Sequence, residues 1–353
     1  MKSHKERFSA VEYLLFTAVT AAILCLCVCI GSVHIPLRDT VMIIWNAVYS
    51  QIHNWIFGTQ LPLPSGATAS IILSVRLPRV ICVAMTGASL SLSGTVMQGL
   101  LKNPLADGST LGVSSGAALG AVIAIAFGVT FPALPFAGTM VMAILFAFLS
   151  LLIILGLAYK LDYSLSTNTI ILIGVIFSMF VSSLMSIVIT FAADRVQHIT
   201  FWTMGSLQGR GYTDAVILFG ALLVFGTVIF LHAQELNAFA VGEDNARHIG
   251  VNVRRVKLVL LIAVSALIGI CVSIGGTIGF VGLVTPHMLR MLVGPNHRRL
   301  LPASLFGGAV FLMLADLIAR ILLNPRELNI GIVTSLVGAV VFVLIFYRTR
   351  RDR

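Results

Sequence analysis

Charged side chains are scarce in this sequence. Asp, Glu, Lys and Arg make up 10% of 353 residues, where a soluble domain carries roughly a quarter. With 58% hydrophobic residues and a mean hydropathy of +1.02, that scarcity excludes a water-soluble globular chain. Period-two alternation is missing as well, which excludes an outer-membrane barrel. The chain has no G-x-x-x-x-G-K-[ST] phosphate loop, no low-complexity linker and no soluble domain, so it has no visible room for an ATPase or ligand-binding lobe of its own. The apolar run Tyr13–Ile30 ends without a small-x-small cleavage site and is too long for a signal core, so it reads as a retained first span. Cysteine is sparse: Cys25, Cys27 and Cys29 point in different directions on one helix. With Cys82 and Cys271 they read as small apolar filler, not a metal cluster.

What is present is a series of apolar runs near the ~20 residues that cross ~30 Å of hydrocarbon. They fall at 12–32, 79–101, 111–129, 134–158, 167–192, 212–232, 257–275, 278–293, 300–320 and 330–347. The expected fold is all-α: one polytopic transmembrane domain over 1–353 with about ten membrane helices. The segment 33–75, with Trp45, Trp55 and the stretch LPLPSG at 61–66, is too polar and proline-interrupted to span. It is expected as an extracytoplasmic loop carrying a surface helix.

Cations sort by side. An even span count with the N-terminus inside puts 16 of the 23 Lys and Arg inside, among them Lys2, Lys5, Arg7, Lys102, Lys160, Arg247, Arg254, Arg255 and Lys257. Both termini are therefore expected in the cytoplasm. Much of the net charge of +10 is then a topological signal, with no need for a nucleic-acid partner. The other seven are Arg38, Arg76, Arg79, Arg195, Arg210, Arg320 and Arg326, all arginine. Arginine's planar fork suits bidentate pairing with carboxylates, although long cations at helix ends also snorkel.

Four stretches invite function. Residues 94–121 end one span in KNPLADG, which Pro104 and Gly108 turn, and open the next on Gly112, Ser114, Ser115 and Gly116. Small residues permit close helix packing, and an irregular turn at membrane depth needs protein or a water-filled cavity around it. Residues 236–257 form the longest inside loop, expected as two short helices, Leu236–Val241 and Glu243–Ile249, with Gly250 ending the second. Leu236, Phe239, Ala240, Ala246 and Ile249 keep it apolar, as a docking surface for a soluble partner would be. Residues 275–304 are broken by Gly275, Gly276 and Pro286. His287 has no second ligand one helical turn away, so a zinc or haem-ligating site is rejected. In LADLIAR, Asp316 and Arg320 are one turn apart and can pair. Asp316 could instead be the coupling carboxylate of an ion-driven secondary transporter. The glycine-rich helices alone would permit a channel or scaffold.

These stretches together, RLPRV, SGTVMQGLLKNPLAD, LGVSSGA, FWTMGSL, GEDNARHIGV, GTIGFVGLVTPHMLR, LADLIAR and ELNIGIVTSLVGAVVF, resemble the permease subunits of ABC importers for vitamin B12, haem and ferric siderophores. They run in family order from about residue 70 to the C-terminus. The resemblance implies a dimer of permeases in a bacterial cytoplasmic membrane, an ATPase subunit that uses ATP and Mg beneath it, and an external solute-binding protein. The permease itself is no enzyme and binds no cofactor. It also implies roles for residues. Ala240, Gly242, Glu243, Ala246, Arg247, Ile249 and Gly250 fall in the ATPase coupling loop within 233–257. Arg76, Arg79 and Arg320 receive the acidic residues of the binding protein. Asn103 and Leu105, with Thr167 and Asn168, form the inner gate. The family turn N-P-L-A-[DE]-P-G is departed from here at Gly108-Ser109. A ferric siderophore is the first expectation for cargo, with haem and cobalamin next.

Overall fold

The computed structural model describes residues 8–31, 35–58, 61–108, 111–130, 138–163 and 166–351. Lys2, Lys5, Arg7, Ser109, Arg353 and the first residues of the span expected from 134 lie outside the described residues. The described chain is helical because hydrocarbon offers backbone groups no water, and a helix satisfies them internally. In order the elements are α1 (Ala10–Cys29), α2 (Leu37–Phe57), α3 (Ala67–Ser70), a π turn (Ile71–Arg76), α4 (Leu77–Leu100), α5 (Val113–Phe127), α6 (Gly138–Leu161), α7 (Thr167–Phe191), a 3₁₀ turn (Ala193–Arg195) and α8 (Val196–Thr203). Then come α9 (Tyr212–Leu231), α10 (Ala233–Val241), α11 (Glu243–His248), α12 (Val253–Gly275), α13 (Val281–Val293), α14 (His297–Ile321) and α15 (Ile330–Arg351).

Among the described residues, seven helical runs are long and apolar enough to cross a membrane, and with three shorter apolar helices, α5, α13 and α15, they match the expectation of about ten. Cross-links sort their ends. At one end the Glu12 carboxylate pairs with Arg299, joining the starts of α1 and α14. There too Asn237 of α10 bonds His297 and Asn296. At the other end Arg320 bonds carbonyls of Cys27 and Ile30. The Tyr212 hydroxyl donates to the Leu73 carbonyl at 2.6 Å, and Asn329 donates to that of Phe201. We call these the cation-rich end and the knot end. Helix α15 starts beside the knot end, so α1 begins and α15 finishes at the cation-rich end.

Helix α4 is the axis. Of its most apolar stretch 83% is buried, against 11% for α1, and it packs on α14, α13, α12 and α9. Glycines permit this. A Cβ at Gly94 would land on the backbone of Gly282 in α13, and one at Gly87 on that of Gly308 in α14. Backbones this close supply the van der Waals contact that drives helix association in lipid.

The expected boundary at residue 79 is corrected. The second crossing is helical from Ala67 to Leu100, 34 residues, or about 51 Å at 1.5 Å per residue. Pro78 does not start it. Proline has no N–H and collides with the carbonyl four residues back. Here the turn before it widens, Leu77 N–H reaching five residues back to the Ile72 carbonyl. The π turn lets the helix run through a proline that the expected span boundary at 79 places just ahead of its start. Among the described residues of the expected 33–75 loop, only 35–36, 58 and 61–66 are not helical.

Two crossings are short for the opposite reason. Helices α5 and α13 have 15 and 13 residues, about 22 and 20 Å, where hydrocarbon is ~30 Å thick. Irregular backbone lies ahead of each, at 101–108 and 111–112 before α5 and at 276–280 before α13, and the two regions meet. Asp107 and Gly108 from the first, Ser114 in the first turn of α5, and Thr277, Gly279 and Phe280 from the second line one cavity of about 100 Å³. Broken backbone at this depth is tolerated because protein surrounds it.

Candidate functional site

The knot end gathers the three arginines expected to face an external partner. Arg79 sends Nε and Nη2 to Asp316 Oδ1 at 3.1 and 2.9 Å, and Nη1 to Glu327 Oε2 at 2.7 Å. Arg320 Nε lies 2.9 Å from Asp316 Oδ2. Its Nη2 and Nη1 donate to the carbonyls of Cys27 and Ile30 at 2.9 and 3.0 Å. Arg76 Nη1 donates to the carbonyls of Val28 and Cys29 at 3.0 and 2.8 Å. The last carbonyls of a helix have no intrahelical donor and carry its partial negative charge. Two arginines therefore cap α1, and the third joins α4 to α14.

This corrects the expected geometry of a socket. Arg76, Arg79 and Arg320 are 6%, 7% and 4% exposed, and Asp316 is 1% exposed. The most accessible member of the knot is the half-buried Glu327, its side chain 22% exposed, an acid that sequence reading passes over. Its signal was its place beside the Arg326 charge in the short connection after α14. Asp316 is pinned between two guanidinium groups, which removes the observation behind an ion-coupled carboxylate.

At the cation-rich end the loop after α9 folds into α10 and α11, as the pattern at 236–250 predicts. Gly242 and Gly250 hold positive φ of 143° and 89°, conformations that favour glycine, and each ends a helix. The apolar residues split into two sets. Leu236, Phe239 and Ala246 are fully buried and fix the loop to the body, which corrects their reading as contact residues. Ala240, Arg247 and Gly250 remain exposed, and Val241 and Ile249 stand out at 73% and 71%. Glu243 is engaged, its carboxylate 2.8 Å from Lys257 Nζ of α12. Reading Lys257 only as a topological charge misses this buried pair.

The four expected gate residues lie on two separate corners. Asn103 shapes the turn after α4, its Oδ1 accepting from Leu105 N–H at 2.9 Å, and Leu105 is half exposed. Thr167 and Asn168 open α7, capped by Ser166. His287 lies beside Phe342 of α15, and Arg290 donates to Gln98 Oε1 of α4 at 3.2 Å.

A family model described as the FecCD transport family matches residues 19–348. The chain belongs to that family. An ABC transporter permease protein of Bacillus subtilis, YvrB, named as uncharacterized, is 40% identical over 99% of this chain and 97% of its own length. The cobalamin import permease BtuC of Halobacterium salinarum is 38% identical over 83% of this chain and 77% of its own. Other relatives are named as permeases for hemin, vitamin B12, molybdate and iron chelatin. Among solved structures, an inward-facing ABC transporter assigned to the metal-chelate type shares the fold at a TM-score of 0.81 and 29% identity. It covers 96% of this chain and is itself wholly covered. The FecCD chain is thus a multi-pass permease of an ABC importer of the iron-chelate, haem and B12 type. It is a transport component in a family that works with a separate ATPase and a substrate-binding protein.

Proposed function

We propose that this FecCD chain forms, as one of two permease subunits, the membrane pathway of an importer for an iron chelate, a ferric siderophore before haem or cobalamin. ATP and Mg are used by a cytoplasmic ATPase docked on residues 240–250, and no cofactor is held by this chain. The observation that carries the reading is the folded α10–α11 loop. Its buried residues anchor it to α12 and to the ends of α4 and α14, while Val241 and Ile249 stay exposed. Closure of the ATPase dimer would push on this loop and bias the helices between access to one side and to the other. Asn103, Leu105, Thr167 and Asn168 would form the inner gate.

At the knot end we assign docking of the external solute-binding protein to the rim of the charged knot. An acid of the partner would compete with Glu327 for Arg79, reaching the knot where it meets solvent.

Val241→Asp combined with Ile249→Asp tests the coupling surface, because both side chains are exposed and their loss leaves the core intact. Capture of the ATPase by the solubilised permease is expected to fall at least about tenfold, a typical loss for two exposed hot-spot contacts. Uptake in proteoliposomes is expected to fall with it. Unchanged capture would remove the coupling assignment. Mass spectrometry of the small molecule held by the cognate binding protein identifies the cargo.

A further inference from the structure

The coupling loop and the corner carrying Thr167 and Asn168 do not adjoin in sequence, and the first two turns of α12 touch both. We propose that these turns are the strap that carries movement of the coupling loop to the α6–α7 corner, with Arg254 as the positioning residue at the corner end. The inference rests on the coupling reading above and adds the route the motion takes.

The input side is stiff. Lys257, 1% exposed, holds the Glu243 carboxylate at the start of α11 at 2.8 Å. The Val251 N–H donates to the Ala246 carbonyl at 3.0 Å, and Asn252 Oδ1 caps α12 by accepting from the Arg255 N–H at 3.1 Å. Ala246 is buried beneath the connection. A charged pair, a backbone bond and a cap leave little slack between α11 and α12, so a push on the first displaces the second.

The output side is different in kind. One turn before Lys257, the Arg254 guanidinium lies 4.6 Å from the centre of the Tyr159 ring and 4.1 Å from that of Tyr163. The two rings are themselves 5.0 Å apart. Tyr159 belongs to the last turn of α6, and Tyr163 lies just beyond its end. Between them, Asp162 Oδ2 accepts from the Ser166 N–H and from the Thr169 hydroxyl, both at 3.1 Å. Ser166 Oγ in turn accepts from the Thr169 N–H. Thr167 and Asn168 are the first helical residues inside that cap. Arg254 thus grips the segment whose fold fixes where α7 begins.

The chemistry of the grip suits a moving joint. Tyr159 and Tyr163 are 42% and 65% exposed, so the contact is no part of the core. A guanidinium over a ring face is attracted electrostatically over a range of offsets, so it can slide while staying engaged. A bidentate carboxylate pair would be lost on the same displacement. Deeper along α6 and α12 the packing is apolar and close, a Cβ at Gly269 meeting that of Ala147. The motion is then free at the inner end and pivots about the tighter contact within the membrane.

The test uses the complete importer, permease with its ATPase and binding protein, in proteoliposomes. Three variants are compared: Arg254→Ala, Arg254→Lys, and Tyr159→Leu with Tyr163→Leu. The readouts are ATPase capture, ATP hydrolysed per substrate carried, and the change in thiol labelling of Asn168→Cys on adding a non-hydrolysable ATP analogue. Arg254→Ala is expected to keep ATPase capture and hydrolysis but to raise ATP used per substrate about fivefold or more, the lower range for coupled sites. The nucleotide-dependent change at Asn168→Cys is expected to vanish. Arg254→Lys, which keeps a cation over the rings, should restore part of both. If Arg254→Ala fails to fold, the tyrosine pair carries the same prediction. Unchanged stoichiometry with an unchanged labelling response would overturn the strap and leave the coupling loop standing. Retained ATPase capture by Val241→Asp with Ile249→Asp would instead remove the coupling reading, and the strap's input with it.

Discussion

Asp316 shows how much one buried carboxylate can organise. It takes two hydrogen bonds from Arg79 and an ion pair from Arg320, and those two arginines connect α4, α14 and the end of α1. Taking charges out of water is costly, and a buried pair roughly breaks even against an apolar replacement. Removing one partner is another matter, because it strands the rest. Asp316→Asn leaves two guanidinium groups facing a neutral amide, and a loss of about 3–5 kcal/mol is expected. Glu327 is partly solvated, so Glu327→Gln should cost no more than about 1 kcal/mol, as for an exposed pair. Thermal unfolding of the purified permease in detergent distinguishes these, with a large drop in Tm for Asp316→Asn and a small one for Glu327→Gln. Equal drops would mean that the knot does not centre on Asp316. The same pair of variants bears on docking. If a partner acid competes with Glu327 for Arg79, Glu327→Gln should tighten binding-protein affinity at low salt, where screening is weakest.

Among the elements, the two glycine crossings set how near the axis helix comes to its neighbours. Gly94→Ala forces α4 away from Gly282 of α13, and overpacking of this kind costs about 1–3 kcal/mol. Gly220→Ala, on a face of α9 with nothing within 4 Å, should instead stabilise by up to about 1 kcal/mol through helix propensity. Opposite shifts in Tm are expected, and a loss at both positions would refute the packing argument. The same contrast shows what was legible in the sequence. Ten crossings could be read, because apolar length and polar punctuation are properties of each segment alone. The two helices of the coupling loop could be read as well, from acids at one start and glycines at the ends. The helix running through Pro78 could not, since a π turn is chosen by how Ile71–Arg76 packs and leaves no composition signal. The burial of Arg76, Arg79 and Arg320 could not be read either. Apart from the Asp316–Arg320 pair one turn apart, their partners lie 47 to 293 residues away, Asp316 and Glu327 for Arg79 and the carbonyls at the end of α1 for Arg76 and Arg320, and no local pattern joins them. Motif order marked the positions proposed for gate and coupling, but only the packed structure divided the loop into buried residues, Leu236, Phe239 and Ala246, and exposed ones, Val241 and Ile249.

For the molecule as a whole, the open quantity is the direction in which it sits in the membrane, and charge argues for one answer. The end joining Glu12, Asn237, His297 and Arg299 also holds Lys102, Lys160, Arg247, Arg254, Arg255 and Lys257. The knot end carries no lysine among the described residues, and its three buried arginines are held by two carboxylates and the carbonyls of α1. Cytoplasmic loops are enriched in Lys and Arg, so the α10–α11 loop should face the cytoplasm and α2 the outside. Single reporters at exposed positions can decide this. Val241→Cys at the tip of the coupling loop and Trp55→Cys on α2 are 73% and 86% exposed in the parent chain. Cys27, Cys29, Cys82 and Cys271 are buried and Cys25 lies within α1, so the background thiol signal is low. A membrane-impermeant maleimide added to intact cells should label Trp55→Cys at once and Val241→Cys only after permeabilisation. The reverse pattern would place the coupling loop outside, where no ATP is available to a partner. It would therefore sink the ATPase assignment along with the orientation, and it would leave the fold and the charged knot untouched.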